Sequence, residues 1–170
     1  MFIEGLPPAT VVAVVNGWGS EPRRAGHRQE LPPLPDALLP PWAEADDAGL
    51  EWAADRLFPI FASTDLTERA ESLAAVLDRT KVRPTVRYDA EGFASPWLVE
   101  PRHAVLAAAA LTLRTQFAEH DPARVGLCSA GNCADVYIDV SARAHRRFCS
   151  VTCQNRTRTA AYRRRRSATP

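Results

Sequence analysis

Cys128-Ser-Ala-Gly-Asn-Cys133, followed after fifteen residues by Cys149-Ser-Val-Thr-Cys153, decides how the end of this chain must fold. The spacing is C-x4-C-x15-C-x3-C, two close pairs separated by a loop of medium length. A tetrahedral ion needs four donors. Each pair can occupy two vertices, and the loop brings the pairs together. Gly131 and Asn132 supply the turn inside the first pair. Tyr137–Val140 then reads as a short strand. A helix is expected from Cys149–Ser150 through Arg166, with Cys153 in its first turn, where the positive end of the helix dipole favours a thiolate. Four thiolates fill the coordination shell and leave no position for water. The ion held by Cys128, Cys133, Cys149 and Cys153 is therefore expected to be structural, and one Zn2+ is the favoured occupant. Two disulfides and an iron–sulfur cluster compete for the same four residues. A redox pair is disfavoured because no C-x-x-C occurs. The 43 residues from Arg124 to Arg166 are too few for a self-sufficient core, so the metal should stabilise this unit directly.

Charge divides the chain at the same place. The whole sequence has 170 residues, 46% of them apolar, and a net charge of +1. Residues 124–170 carry ten arginines against two aspartates, net +8, whereas residues 1–123 are net −7. We therefore expect two units, residues 1–122 and residues 123–170. No apolar run approaches the roughly 20 residues of a membrane span. The N-terminal apolar run lacks a preceding basic region, with Glu4 ahead of it and no Lys or Arg before Arg23, so it does not read as a secretory signal. A cytoplasmic location is the expectation. Thiols stay reduced there, which favours metal over disulfides.

The first unit is expected to be mainly helical with a small β-hairpin, an α+β domain. Thr10–Val15 is β-branched and ends at Asn16–Gly17, which predicts a strand meeting a turn. Arg23–Pro41 holds five prolines and predicts an extended connector. Glu44–Phe58 predicts a helix with Leu50, Ala54 and Leu57 on one side, limited by Pro59. Asp65–Thr80 predicts a helix with Asp65 and Glu68 as a capping box and a core-facing stripe of Leu66, Ala70, Leu73, Ala74 and Leu77. Thr85–Asp89 and Phe93–Val99 predict a hairpin, the second strand demoted to an edge by Pro96. Pro101 fits the first turn of a helix over Arg102–Glu119, with Leu106, Ala109, Leu113 and Phe117 inward, ended by Asp121–Pro122. The unit carries no Gly-rich phosphate loop and no nucleophile elbow. His27, His103 and His120 are mutually isolated and read as structural or surface residues. Trp18, Trp42, Trp52 and Trp97 read as core anchors, with a small-molecule pocket as the alternative. The chain is not expected to be an enzyme.

In the second unit, Arg143, Arg146 and Arg147 precede the last cysteine pair, and Arg156, Arg158, Arg163, Arg164, Arg165 and Arg166 follow it. Arg156 and Arg163 are seven apart and share a helix face. Arginines on a metal-anchored helix suit phosphate contacts, so Arg146, Arg147, Arg156, Arg158 and Arg163–Arg166 are the candidate nucleic-acid ligands, with DNA the first partner and RNA the second. A solvated tail, or one docked on the acidic unit in a protein-interaction adaptor, is the alternative. Asp139 is a candidate to orient Arg146 or Arg147, and Asn155 to cap or to bond a ligand carbonyl. Arg163–Pro170 is expected to fray without a partner.

At these residues the chain resembles the CGNR zinc finger found after an N-terminal ABATE domain. The likeness rests on both cysteine pairs, Tyr137-Ile138-Asp139-Val140-Ser141, Arg146-Arg147-Phe148-Cys149, and Cys153-Gln154-Asn155-Arg156 with the basic helix behind it. Gln154 replaces the family's name-giving glycine, and Val140 stands where Thr is usual. Residues 10–122 resemble the ABATE domain in the apolar run ending at Asn16, the helix around Trp52, and the Leu73–Leu77 helix leading to Thr85–Trp97. The resemblance implies a treble-clef-like or ribbon-like zinc finger in a bacterial, stress-responsive, DNA-binding transcription regulator. Its first domain would sense a signal or form a homodimer.

Overall fold

A computed structural model describes residues 1–35, 38–43, 45–90 and 92–167. The elements run β1 (Phe2–Ile3), α1 (Pro8–Trp18), α2 (Ser20–Ala25), α3 (Asp47–Ala62), α4 (Leu66–Thr80), β2 (Arg83–Pro84), β3 (Arg87–Asp89), β4 (Gly92–Ala94), β5 (Trp97–Leu98), α5 (Ala104–Glu119), β6 (Val125–Leu127), β7 (Val136–Ile138) and α6 (Val151–Ser167). The class is α+β, as expected. Among the described residues, no helix is long and apolar enough to cross a membrane.

α5 is the central element. Every residue from Ala104 to Leu113 is buried, so its alanine-rich turns let α1, α3 and α4 approach closely. Thr112 resolves the one polar side chain in that run by donating its hydroxyl to the carbonyls of Leu6 and Ala108, at 2.6 and 3.1 Å. α1 packs Val11, Val14, Val15 and Trp18 into the same core, and α3 adds Leu50, Ala54, Leu57, Ile60 and Phe61.

Several expectations change. Thr10–Val15 is not a strand but the middle of α1. Pro8 sits in the first turn, where its missing N–H costs nothing. Val11, Val14, Val15 and Trp18 recur at the 3.6-residue period, which the intervening valine and alanine conceal. Pro59 does not stop α3. It lies in the last turn, so only one hydrogen bond is forfeited and the helix continues to Ala62. Part of the Arg23–Pro41 connector is helical, because α2 runs to Ala25. The predicted start at Glu44 lies outside the described residues, and α3 is capped by Asp46, whose carboxylate accepts from the Gly49 N–H at 2.8 Å.

α4 begins where the sequence placed it, with the Asp65 carboxylate accepting from the N–H groups of Thr67 and Glu68. Its buried face is rotated from the predicted one. Arg69, Leu73, Val76 and Thr80 point inward, while Leu66, Ala70 and Ala74 stay exposed. The β3–β4 hairpin forms with Arg87 opposite Ala94 and Asp89 opposite Gly92. Pro96 breaks the second segment instead of demoting it. Its C-terminal half becomes β5, which sits between β1 and β2 in a three-stranded antiparallel sheet. α5 follows a 3-10 turn over Pro101–His103 and ends at Glu119.

The β6–β7 hairpin belongs to the same core. Val125, Val136 and Ile138 are buried with the residues of α1 and α3. Asn16, in α1, fixes the register between them. Its side-chain carbonyl accepts from the Val136 N–H at 2.7 Å, and its amide donates to the Val136 carbonyl at 3.1 Å. The pair copies a strand-to-strand ladder with one side chain. Replacing Asn16 by Ala leaves both backbone groups of a fully buried residue unpaired. We expect a loss of about 2 kcal/mol, measured as a shift in the urea unfolding midpoint.

Candidate metal centre

The hairpin places the first cysteine pair and α6 places the second. Cys128 follows β6 directly, and the 128–133 turn is closed by a 3.1 Å bond from the Cys133 N–H to the Ala130 carbonyl. The Cys128 N–H donates to the Asp135 carbonyl at 2.9 Å, which carries the hairpin pairing up to the metal ligand. Cys153 lies in the first turn of α6, where its N–H donates to the Ser150 hydroxyl at 3.3 Å. A pair on a hairpin tip meets a pair at a helix start, which fits the zinc finger expected from the sequence.

The four sulfurs lie within 4.8 Å of one another. The Cys133–Cys149 and Cys149–Cys153 separations are 3.7 and 3.6 Å. Sulfurs on a tetrahedral zinc with bonds of about 2.3 Å stand about 3.8 Å apart. The donor set therefore fits one zinc, with no ligand position left over, and the ion is structural. Burial pushes the Cys133 thiol up to about 12 and raises the Cys149 thiol as well, while Asp135 and Ser150 bonds moderate the two shifts. Burial also acts to raise Cys153, but bonds from Cys149, Ser150 and the other cysteines outweigh it and lower that thiol. Four thiolates do not gather in a buried cluster without a cation to neutralise them.

Around the cluster, arginines hold the backbone. Arg156 points its guanidinium at the Cys153 sulfur, 3.4 Å away. Arg146 donates to the carbonyls of Phe148 and Cys149, at 3.0 and 2.5 Å. Arg124 donates to the carbonyls of Asp139 and Ser141, at 3.0 and 2.6 Å. Two more groups link the cluster to the first unit, and neither was singled out from the sequence. Asp135 stands 3.6 Å from the Cys149 sulfur and forms a 2.8 Å ion pair with Arg28. A separation of 107 residues leaves no sequence signal for that pair.

Asp139 has a different role from the one expected. It is 3% exposed, and its carboxylate accepts from the backbone N–H groups of Ser141 and Arg146, at 3.0 and 2.8 Å, not from a guanidinium. These bonds fold the 141–147 loop, in which Ala144 adopts φ 50°, a conformation costing about 1–2 kcal/mol for a residue with a Cβ. Burial acts to raise the Asp139 carboxyl. The Ser141 hydroxyl, the two N–H groups and the Arg124 charge outweigh burial and hold it below the usual range.

Folded this way, the loop forms one wall of a cleft of about 690 Å3, whose other wall is the start of α6. Arg143, His145, Arg146, Arg147 and Arg158 line it. Arg146, Arg147 and Arg158 were candidates from the sequence, and Arg143 and His145 join them. Arg163, Arg164, Arg165 and Arg166 lie farther along α6, exposed. α6 is helical through Ser167, and Ala168–Pro170 lie outside the described residues. Asn155 is exposed on the helix. Gln154 sits inside α6, where the backbone is helical and needs no glycine. His103 stacks on Trp52 with centroids 5.6 Å apart, a packing contact.

Purified protein should hold about one zinc per chain. Uptake should release protons, so apparent affinity should weaken as pH falls. Cys149→Ser should abolish stoichiometric zinc, measured by metal analysis. Asp139→Asn should cost about 2 kcal/mol at pH 7. Because the Asp139 carboxyl titrates lower in the folded chain than in the unfolded one, its contribution is present above the unfolded value near 3.9. It is lost as pH falls through the folded value. The gap between wild type and Asp139→Asn should therefore close in acid, read from unfolding midpoints.

The comparison with known families agrees with this geometry. No curated protein matches the chain. Residues 124–166 match the family model described as the CGNR zinc finger. That span contains all four sulfurs, the β6–β7 hairpin and the body of α6. The C-terminal unit of this chain is a CGNR zinc finger with one structural zinc site.

Proposed function

We propose that the finger binds nucleic acid through the cleft and the exposed face of α6, with duplex DNA the first candidate and transcription regulation the role. The observation that carries this reading is the distribution of arginines. Arg143, Arg147, Arg158 and Arg163–Arg166 are exposed on one basic unit, while the adjoining acidic unit offers its own Arg28 to the finger at Asp135. α6 is exposed along its length apart from Cys153 and a few half-buried side chains. This supports an external polyanion as the counter-charge to its arginines, over docking on the acidic unit. Phosphate contacts would supply most of the affinity, and the pair Arg146 and Arg156 would act chiefly by holding the metal loop. The first unit would position the finger or respond to a signal. Four thiolates around zinc leave no open coordination position, which supports a binding role over catalysis.

Affinity for random-sequence duplex should fall with salt, with a log–log slope of about −0.9 per phosphate contacted. Arg164→Ala with Arg165→Ala should flatten that slope by up to about 2 and leave zinc content unchanged. Absent or salt-independent binding would sink the proposal. Stronger competition by structured RNA than by duplex DNA would reassign the partner.

A further inference from the structure

We propose that Gln154 makes the finger sequence-selective by reading an adenine in the major groove of duplex DNA. This inference rests on the duplex-binding reading of the same finger and adds a base contact to it. Val151, Gln154 and Arg158 stand at the i, i+3 and i+7 positions of α6, so they fall within about 60° of one another on its surface. All three line the cleft beside the 141–147 loop. They extend along the first turns of the helix for about 10 Å, the rise of about three base-pair steps.

The two walls of the cleft differ in chemistry. The loop wall carries Arg143 and Arg147, both exposed, which suits phosphate oxygens. The helix wall presents a branched apolar group, an amide and a guanidinium. Val151 is 70% exposed at the start of the helix, placed to meet a thymine methyl. Among the described residues, no hydrogen bond or ion pair holds the Gln154 amide or the Arg158 guanidinium. The Arg146 guanidinium, by contrast, is committed to the carbonyls of Phe148 and Cys149. Asp139, the carboxylate in the cleft, is satisfied by the Ser141 and Arg146 N–H groups. The sequence from Val140 to Ser167 holds no Asp or Glu, so nothing there repels a polyanion. One strand of a duplex running through the cleft sets its phosphates against the loop and its base edges against α6. Phosphate contacts are blind to sequence. A carboxamide carries a donor and an acceptor side by side, the complement of adenine N7 and N6, and Gln154 is the one carboxamide in the cleft.

The test is selection from a random duplex library with the full, zinc-loaded chain. Affinities for the selected site and for random-sequence duplex are then measured at one salt concentration. The selected site should contain an A·T pair whose replacement by G·C weakens wild-type binding about tenfold. Gln154→Ala should erase that difference and leave random-duplex affinity and its salt slope unchanged, because the amide is neutral. Gln154→Arg should move the preference at the same pair to G·C, a change that a merely structural role for Gln154 does not produce. Zinc content and helical circular dichroism exclude a folding failure. Should Gln154→Ala not fold, Gln154→Arg carries the decision. Duplex binding without sequence preference, or a preference that neither variant alters, overturns the inference and leaves the proposed function standing. No binding to random duplex defeats both, and that measurement alone reports it. Tighter binding of structured RNA than of any duplex also overturns the inference, since the narrow major groove of an RNA helix does not admit these side chains.

Discussion

The β6–β7 hairpin faces two ways, and the arrangement of the C-terminal unit depends on it. On one side Val125, Val136 and Ile138 complete the core built by α1 and α3. At its tip Cys128 and Cys133 face the second pair of sulfurs. A unit this short cannot bury enough apolar surface to order itself. It resolves the shortage by lending its strands to a larger core and closing its far end on a metal. The Asn16 bonds to Val136 set the angle between these two supports, because they fix which strand edge meets α1.

The arginines of the finger divide by what their guanidinium groups touch. Arg124, Arg146 and Arg156 contact carbonyl oxygens or a sulfur of the metal loop. Arg143, Arg147, Arg158 and the run from Arg163 to Arg166 are exposed, with Arg166 resting over the Tyr162 ring at 5.9 Å. A positive count alone does not separate these groups, since a guanidinium serves equally well as a bracket for backbone and as a phosphate ligand. The last three arginines of the run also lie in the final turn of α6, where cations oppose the negative end of the helix dipole.

The metal site was legible in the sequence because four cysteines at that spacing admit few geometries. α4 and α5 were legible in extent because Asp65 and Pro101 announce their starts. The face of α4 was not. Its apolar stripe is real, but α5 and the buried Arg69 turn the helix about its axis, a tertiary effect that periodicity cannot report. α1 was misread because a run of valines satisfies both strand propensity and helical period. Only Pro8 and the recurrence out to Trp18 favoured the helix. Asn16 looked like a turn residue, and its bond to a strand 120 positions away has no local signature. β1 and β5 are two residues each, shorter than any alternating pattern that could have revealed them.

Sharing of the hairpin makes zinc a thermodynamic variable of the whole chain. Whatever binds the folded state alone raises its stability by an amount set by ligand concentration over dissociation constant. The ion lies at the tip of strands whose other ends are core residues of the acidic unit, so removing it loosens the edge of that core as well as the finger. Free zinc in the surroundings would then bear on the stability of the entire chain and not of the finger alone.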